Sequence, residues 1–119
     1  MNATKKKIPD AKVVLTFDGN DVYEAATEPY RSTSPWIHTM ETHETGSISL
    51  VVWAENWDQG GEFRNAAITP LDIIQAFVTL VEKGYHHCSG YPIQDLDNAD
   101  ACTSDLVLQQ AVYGEIVWG

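Results

Sequence analysis

The sequence predicts an α+β fold in which a small antiparallel β-sheet packs against one main α-helix. Residues 36–42 and residues 47–55 alternate between apolar and polar side chains, which is typical of β-strands. A four-residue segment ending in Gly46 joins them, so we expect the two strands to pair as a hairpin in the centre of the sheet. Residues 70–83 instead repeat apolar side chains at helical spacing, which indicates an amphipathic helix.

The whole chain of 119 residues fits within one domain of ordinary size. Residues 1–10 are polar and rich in lysine, so we expect a flexible basic arm there, followed by a single acidic α+β domain over 11–119. The longest apolar run, residues 50–54, is far shorter than the roughly 20 residues that a membrane span needs. No apolar stretch follows the N-terminal lysines, and we therefore expect a cytoplasmic protein without membrane contact.

The segment before the central hairpin allows two interpretations. Residues 12–17 are apolar and β-branched, which favours a strand, and Asp18-Gly19 is a hairpin signal that would place a return strand over 21–25. A short helix capped by Asn20 is the alternative, because the same segment contains good helix formers. The prolines that follow indicate a loop.

The helix over 70–83 is the best-defined element of the sequence. Thr69 is a suitable N-cap, Pro70 suits the first helical position, and Gly84 suits the position after the last turn. The stripe expected to face the sheet consists of Leu71, Ile74, Val78 and Val81 with Phe77 beside it, widened by Ile73, Ala76 and Leu80.

Loops are expected on both sides of this helix, over residues 56–65 and residues 85–101. A short helix over about 104–113 would end at Gly114, and an extended chain from Leu106 onward is the alternative. Residues 115–118 are apolar and are expected to form a final strand.

The charge is distributed unevenly along the chain. The net formal charge is −10, but four of the seven basic residues lie in the first twelve positions. Residues 13–119 hold three basic and sixteen acidic residues, a formal charge of −13. Such a body repels polyanions and attracts cationic surfaces, so direct binding to nucleic acid is not expected.

Two acidic segments are candidate partner-binding sites. Residues 55–64 place a tryptophan and a phenylalanine among carboxylates, and aromatic residues are common at interface hot spots. Residues 94–105 contain carboxylates without aromatic residues. The candidate binding residues are Glu55, Trp57, Asp58, Glu62 and Phe63 in the first segment, and Asp95, Asp97 and Asp100 in the second. The alternatives are a lid in which the two aromatic residues fold back onto the sheet, and a solvated loop.

No pattern predicts a catalytic residue, a cofactor site or a metal site. His86, His87 and Cys88 are consecutive, and the paired spacing of zinc ligands is absent. The carboxylates over 95–106 do not match the spacing of a calcium loop, and the chain has no glycine-rich phosphate loop or nucleophile turn. A small enzyme or metal-binding protein using the His86, His87 and Cys88 region remains the alternative function, and we expect the histidines to lie on the surface.

The two cysteines, Cys88 and Cys102, are expected to be free thiols, because a reducing cytosol disfavours disulfides. If they were joined, closure of the loop between them would contribute roughly 3 kcal/mol to stability.

These features predict a non-enzymatic acidic binding or inhibitor protein that occupies a basic surface of a partner, such as a nucleic-acid-binding complex. In size and charge alone, the chain resembles phage-encoded inhibitors of CRISPR effectors and restriction enzymes, and immunity proteins that neutralise cationic nuclease toxins. The remaining alternative is a domain whose acidity only keeps it dispersed.

Overall fold

The computed structural model describes residues 16–28 and 34–119, so the expected basic arm and most of the first expected strand lie outside the described residues. The α+β class is confirmed by a three-stranded antiparallel sheet and three helices of seven or more residues. The elements in chain order are α1 (Gly19–Thr27), β1 (Ile37–Thr42), β2 (Ile48–Trp53), α2 (Trp57–Gly60), β3 (Phe63–Ile68), α3 (Pro70–Glu82), a short 3₁₀ helix (Leu96–Asn98) and α4 (Ala101–Tyr113).

The predicted hairpin is confirmed as the pair β1 and β2, but its expected place in the centre of the sheet is wrong for β1, which is an edge strand of the described sheet. Gly46 adopts a left-handed conformation (φ 85°), and its N–H donates to the carbonyl of His43 at 2.9 Å. A side chain at this position would be strained and would also approach Pro70. β2 lies between β1 and β3 in the sheet order β1-β2-β3.

Strand β3 corrects the expected loop over residues 56–65. It begins at Phe63, which pairs with Trp53, and it continues to Ile68, which pairs with Ile48. The strand was missed because alanines occupy both of its faces at positions 66 and 67 and weaken the alternation of polarity. Hydrogen bonding and packing against β2 stabilise this strand, and the local sequence pattern does not predict such contacts.

Helix α1 corrects the expected return strand over residues 21–25 and confirms the helical alternative. Its N-cap is Asp18 rather than Asn20, because the Asp18 carboxylate accepts the backbone N–H of Asn20 at 2.7 Å. Val22, Ala25 and Ala26 are buried at the i, i+3 and i+4 spacing of one helical face. This face packs against α3 and α4.

Helix α3 confirms the predicted bounds to within one residue but buries a different stripe. The Thr69 hydroxyl accepts the N–H of Asp72 at 3.1 Å, and the Asp72 carboxylate accepts the N–H of Thr69 at 2.8 Å. Leu71 is 61% exposed and Val78 is 44% exposed. The buried residues are Ile73, Ala76, Phe77 and Leu80. Apolar residues occupy more than half of this helix's circumference, so their spacing did not select a face.

Helix α4 ends at Gly114 as predicted, but it begins earlier than expected, with Asp100 as its N-cap. The expected final strand over residues 115–118 is wrong, because this segment is irregular. The buried side chain of Gln109 accepts the N–H groups of Val117 and Trp118 at 2.9 and 2.8 Å. A side chain of α4 therefore satisfies backbone groups that a neighbouring strand would otherwise bind.

One buried cluster joins side chains from α1, the sheet, α3, α4 and the intervening loops. Its largest fully buried side chains are Trp36, Phe77, Ile48, Ile73, Leu80, Ile93 and Leu108. No helix within residues 16–28 and 34–119 combines the length and apolar character that crossing a membrane requires.

Cys88 and Cys102 are joined in a disulfide, which corrects the expectation of free thiols. The bridge connects the loop after α3 to the first turn of α4. The two cysteines are 14 positions apart in sequence, and the fold brings their Cα atoms to 5.8 Å from each other.

Candidate functional site

The aromatic side chains of residues 55–64 pack together at the connection between β2 and β3. Trp57, in α2, stacks on Trp53 with ring centroids 4.7 Å apart and an interplanar angle of 5°. Phe63 lies 5.0 Å from Trp57, and the His38 ring lies 4.7 Å from Phe63. Gly61 ends α2 in a left-handed conformation, which turns the chain into β3. The expected loop is thus a folded segment with ordered rings.

These rings continue into the hydrophobic core. Trp53 contacts Trp118 edge-on at 5.3 Å, Trp118 lies 6.3 Å from Tyr113, and Tyr113 lies 5.4 Å from the buried Trp36. We call this continuous set the aromatic cluster: His38, Phe63, Trp57, Trp53, Trp118, Tyr113 and Trp36. Phe63 is 48% exposed at one end, and Trp36 is 1% exposed at the other. The exposed end therefore rests on a rigid support.

Arg64 is held between a carboxylate and one ring of the cluster. Its Nε donates to Glu55 Oε1 at 2.7 Å, and its guanidinium carbon lies 5.1 Å from the centre of the Tyr113 ring. The hydrogen bond from Arg64 lowers the pKa of Glu55, against a smaller opposing effect of desolvation. Burial raises the pKa of Tyr113, whose hydroxyl donates to the carbonyl of Trp53 at 2.6 Å.

The remaining predicted residues of this segment stay accessible. Asp58 and Glu62 are exposed, and Trp57 is partly exposed. Glu62 accepts a long hydrogen bond of 3.5 Å from the Asn56 amide, and the Asp58 side chain has no hydrogen-bond or ion-pair partner among the described residues. We call Glu55, Trp57, Asp58, Glu62 and Phe63 the aromatic–acidic surface. The structure brings together all five residues that the sequence singled out here.

The three predicted carboxylates of the second segment have different surroundings. Asp100 caps α4 by accepting the N–H of Thr103 at 3.1 Å. Asp95 accepts the side-chain amide of Asn98 at 2.8 Å. Asp97 is exposed, whereas the other two carboxylate residues are partly buried. Two of the three thus have partners within the fold, and Asp97 is the one that faces outward.

Asp97 lies near three carboxylates that the sequence analysis missed, two in α1 and one at its C-cap. Asp21 and Glu24 are three residues apart on one face of α1, and Glu28 is the residue that directly follows the helix. Together with Asp97 they line an open groove of about 270 Å³. We call these four residues the α1 acidic groove. Interpreting 21–25 as a strand concealed them, and their helical spacing was the signal that could have revealed them.

The two surfaces lie at opposite ends of α4. Near its first turn, the Ser104 hydroxyl donates to the carbonyl of Ala26 in α1 at 2.6 Å. At its last turn, Tyr113 contacts Trp53 and Arg64 beside the aromatic–acidic surface. The thirteen residues of α4 span roughly 20 Å at the helical rise. The predicted binding residues therefore form two separate surfaces.

The His86, His87 and Cys88 region has the expected surface character only in part, because His86 and Cys88 are exposed whereas His87 is buried. His87 is 2% exposed, which corrects the expectation that all these histidines lie on the surface. Its Nδ1 lies 2.6 Å from the Thr103 hydroxyl, and its Nε2 donates to the carbonyl of Asp95 at 3.0 Å. Within the described residues, no three His, Cys, Asp or Glu side chains are grouped so that they could hold a metal ion.

An open depression of about 550 Å³ lies on the outer face of the sheet and is lined by side chains such as Thr39, Ser49, Val51, Asn65 and Ala67. Glu41 is the one charged residue among those that line it.

No protein-family model, curated protein or solved structure matches the chain. Its function must be argued from the chemistry of its own surfaces.

Proposed function

We propose that this protein is a non-enzymatic acidic binding protein that occupies a basic surface of a partner protein and thereby inhibits it. The observation that supports this proposal is an excess of carboxylates without cationic partners. Sixteen carboxylates lie in the described residues beside two basic residues, Arg64 and Lys83. Arg64 is already bound to Glu55, so the other exposed acids are solvated by water and balanced by ions from solution or by another molecule.

The fold holds several of these carboxylates at defined spacing. Asp21 and Glu24 of the α1 acidic groove lie in α1, Glu28 is its C-cap, and Asp97 lies in the 3₁₀ helix. The 3₁₀ helix contacts α1, which also packs against α3 and α4. A preorganised array of negative charge complements a basic groove, accelerates association and selects against acidic partners. Proteins that bind nucleic acid present such basic grooves, so we propose a nucleic-acid-binding protein or complex as the partner.

An enzymatic function has little support from the groups that the sequence offered for it. Both ring nitrogens of His87 are hydrogen-bonded in a buried site, and Cys88 is part of a disulfide. Neither is available as a nucleophile or general base without rearrangement.

The proposal also concerns the compartment in which the protein meets its partner. The expected cytoplasmic location would keep Cys88 and Cys102 reduced, whereas the fold joins them. The disulfide therefore favours partners met in an oxidising environment, and trapping of free thiols in the source cells would distinguish the two locations.

The test compares variants that lose equal charge at different places. The full chain serves as bait for affinity purification, and the recovered partner is titrated against two fourfold variants. The first neutralises the α1 acidic groove by Asp21→Asn, Glu24→Gln, Glu28→Gln and Asp97→Asn. The control neutralises exposed acids outside both surfaces by Glu41→Gln, Glu44→Gln, Glu82→Gln and Glu115→Gln.

We expect the groove variant to lose about tenfold or more in affinity, the loss that about 1.4 kcal/mol produces, and the control to stay near wild type. Added salt should slow association. Equal losses in both variants would show that the groove is not the binding site. An affinity and an association rate that salt does not change would show that the acidity serves only to keep the protein dispersed.

A further inference from the structure

We propose that Trp57 and Phe63, with the carboxylates of Asp58 and Glu62, form a receptor for an arginine side chain of the partner. This inference rests on the proposed function, because it names the group through which a basic partner would be recognised at the aromatic–acidic surface. It also assigns to the exposed rings a role that an acidic surface alone would not require.

This surface exposes an aromatic ring that is held in place by its neighbours. Phe63 begins β3 and remains 48% exposed although it pairs with Trp53 across the sheet. Trp57 lies flat against Trp53, so one of its faces is covered and its orientation is fixed. Contact with such preorganised rings costs little side-chain entropy on binding, which is typical of aromatic anchors at interfaces.

The surface around the rings is negatively charged. Asp58 directly follows Trp57, Glu62 directly precedes Phe63, and both carboxylate residues are exposed. Neither carboxylate forms an ion pair within the described residues. A cation placed over the rings would gain both the attraction of the aromatic faces and the charge of the two acids.

The chain already forms the same arrangement of ring, guanidinium and carboxylate one residue away, at Arg64. The Arg64 guanidinium lies over the Tyr113 ring and is bound through two nitrogens to the carboxylate of Glu55, at 2.7 and 3.4 Å. The neighbouring surface has the same kinds of group, the rings of Trp57 and Phe63 and two acids without a cationic partner, but it lacks a guanidinium. Arg64 is committed to its own pair, so the partner must supply the second one.

Arginine fits this surface better than lysine does. Its guanidinium is planar, is more weakly hydrated than an ammonium group, stacks on aromatic rings and binds carboxylates through two nitrogens. A purely electrostatic surface would not distinguish the two residues, since their charges are equal. Discrimination between arginine and lysine is therefore the property that separates this receptor from the general acidity of the protein.

The test titrates the full chain with deca-arginine and with deca-lysine at an ionic strength of about 0.15 M, where long-range attraction is screened. Binding is followed by tryptophan fluorescence and by the NMR shifts of the Trp57 indole N–H and the Phe63 amide. The variants are Phe63→Thr, which suits a strand, and the pair Asp58→Asn with Glu62→Gln. Matched controls are Leu71→Thr, another exposed apolar residue, and the pair Glu82→Gln with Glu115→Gln.

We expect deca-arginine to bind about fivefold more tightly than deca-lysine, and Phe63→Thr to remove that difference, as the size of exposed cation–π contacts indicates. The control variants should keep it. Equal affinity for the two peptides, or equal losses in Phe63→Thr and Leu71→Thr, would overturn the receptor. Those results would leave the proposed acidic function standing, because the groove variant tests that separately with the recovered partner.

Discussion

At the scale of single residues, Gln109 shows how one polar side chain can determine the path of a chain segment. It is fully buried, and its amide nitrogen donates to Asp105 Oδ2 and to the carbonyl of Trp118 at 2.8 and 2.9 Å. Its oxygen accepts the N–H groups of Val117 and Trp118. All four hydrogen bonds of the amide are thus made, and the C-terminal segment is held against α4.

We expect Gln109→Met to destabilise the protein by about 3 kcal/mol, because two backbone N–H groups would lose their buried acceptor. Urea unfolding would measure the change in the free energy of unfolding. Gln75→Met, at an exposed position of α3, is the control and should change stability by less than about 0.5 kcal/mol. Equal unfolding midpoints for the two variants would contradict this role of Gln109.

Tyr113 makes the stability of the folded state depend on pH in the alkaline range. Its pKa is raised above the ordinary value of 10.0 because burial disfavours the phenolate, which also could not donate to the Trp53 carbonyl. The folded state therefore retains this proton at a pH where the unfolded chain releases it. The resulting stability is complete below the unfolded pKa and is lost as the pH rises through the folded pKa.

Tyr113→Phe should lower the free energy of unfolding by about 1 kcal/mol at neutral pH, through loss of the hydrogen bond to Trp53. The same variant should lose less stability than wild type when the pH is raised past 10.0. Urea unfolding across this range would measure both effects, with the exposed Tyr91→Phe as the control. An alkaline loss of stability that is identical in wild type and Tyr113→Phe would assign the effect to other groups.

At the scale of elements, the start of each long helix gives one side chain a structural role as its N-cap. Asp18, Thr69 and Asp100 cap α1, α3 and α4, and each accepts a backbone N–H of the first turn. Such caps compete with surface functions for the same residue types. Asp100 was therefore a reasonable candidate for binding from its sequence alone, and its place before α4 gives it a structural role.

The pair Asp100 and Asp97 separates these two roles. Asp100→Ala should lower the free energy of unfolding by about 1–2 kcal/mol, the usual cost of losing a helix cap. Asp97→Ala should leave stability within about 0.5 kcal/mol of wild type, because its side chain is exposed. Thermal unfolding of both variants checks this, and similar losses of stability would mean that Asp97 also supports the fold.

At the scale of the whole molecule, the negative charge is a structural burden as well as a candidate binding feature. Arg64 and Lys83 are the basic residues of the described part, so neighbouring carboxylates repel one another across its surface. The repulsion is concentrated in the α1 acidic groove, where four carboxylates share one open surface. The aromatic–acidic surface differs, since Glu55 is neutralised by Arg64.

We expect the free energy of unfolding to rise when sodium chloride is increased from about 0.01 to 0.3 M, because salt screens this repulsion. Each like-charge pair on a helix costs about 0.2–0.5 kcal/mol, so Glu24→Gln should reduce the salt dependence. Glu115→Gln, outside the groove, is the control. Stability that falls with added salt would show that attractive pairs dominate instead.

The candidate surfaces were predicted only in part, for a reason visible in particular residues. The aromatic–acidic surface is contiguous in sequence, so Trp57, Phe63 and their neighbouring acids could be grouped without a structure. The α1 acidic groove joins Asp97 to residues about seventy positions earlier. No local pattern predicts a contact between residues so far apart in sequence. The carboxylates of α1 were not grouped either, because residues 21–25 were compatible with both a strand and a helix.

Local patterns in the sequence were enough to predict the α+β class, the hairpin of β1 and β2, the bounds of α3 and the acidity of the chain. These depend on local periodicity, turn residues and composition, which act within a few positions. The buried face of α3, the path of residues 115–118, the contact of Cys88 with Cys102 and the grouping of the acids followed only from the folded structure. Each depends on contacts that no local periodicity specifies, because the free energy of such a contact appears only when the chain has folded.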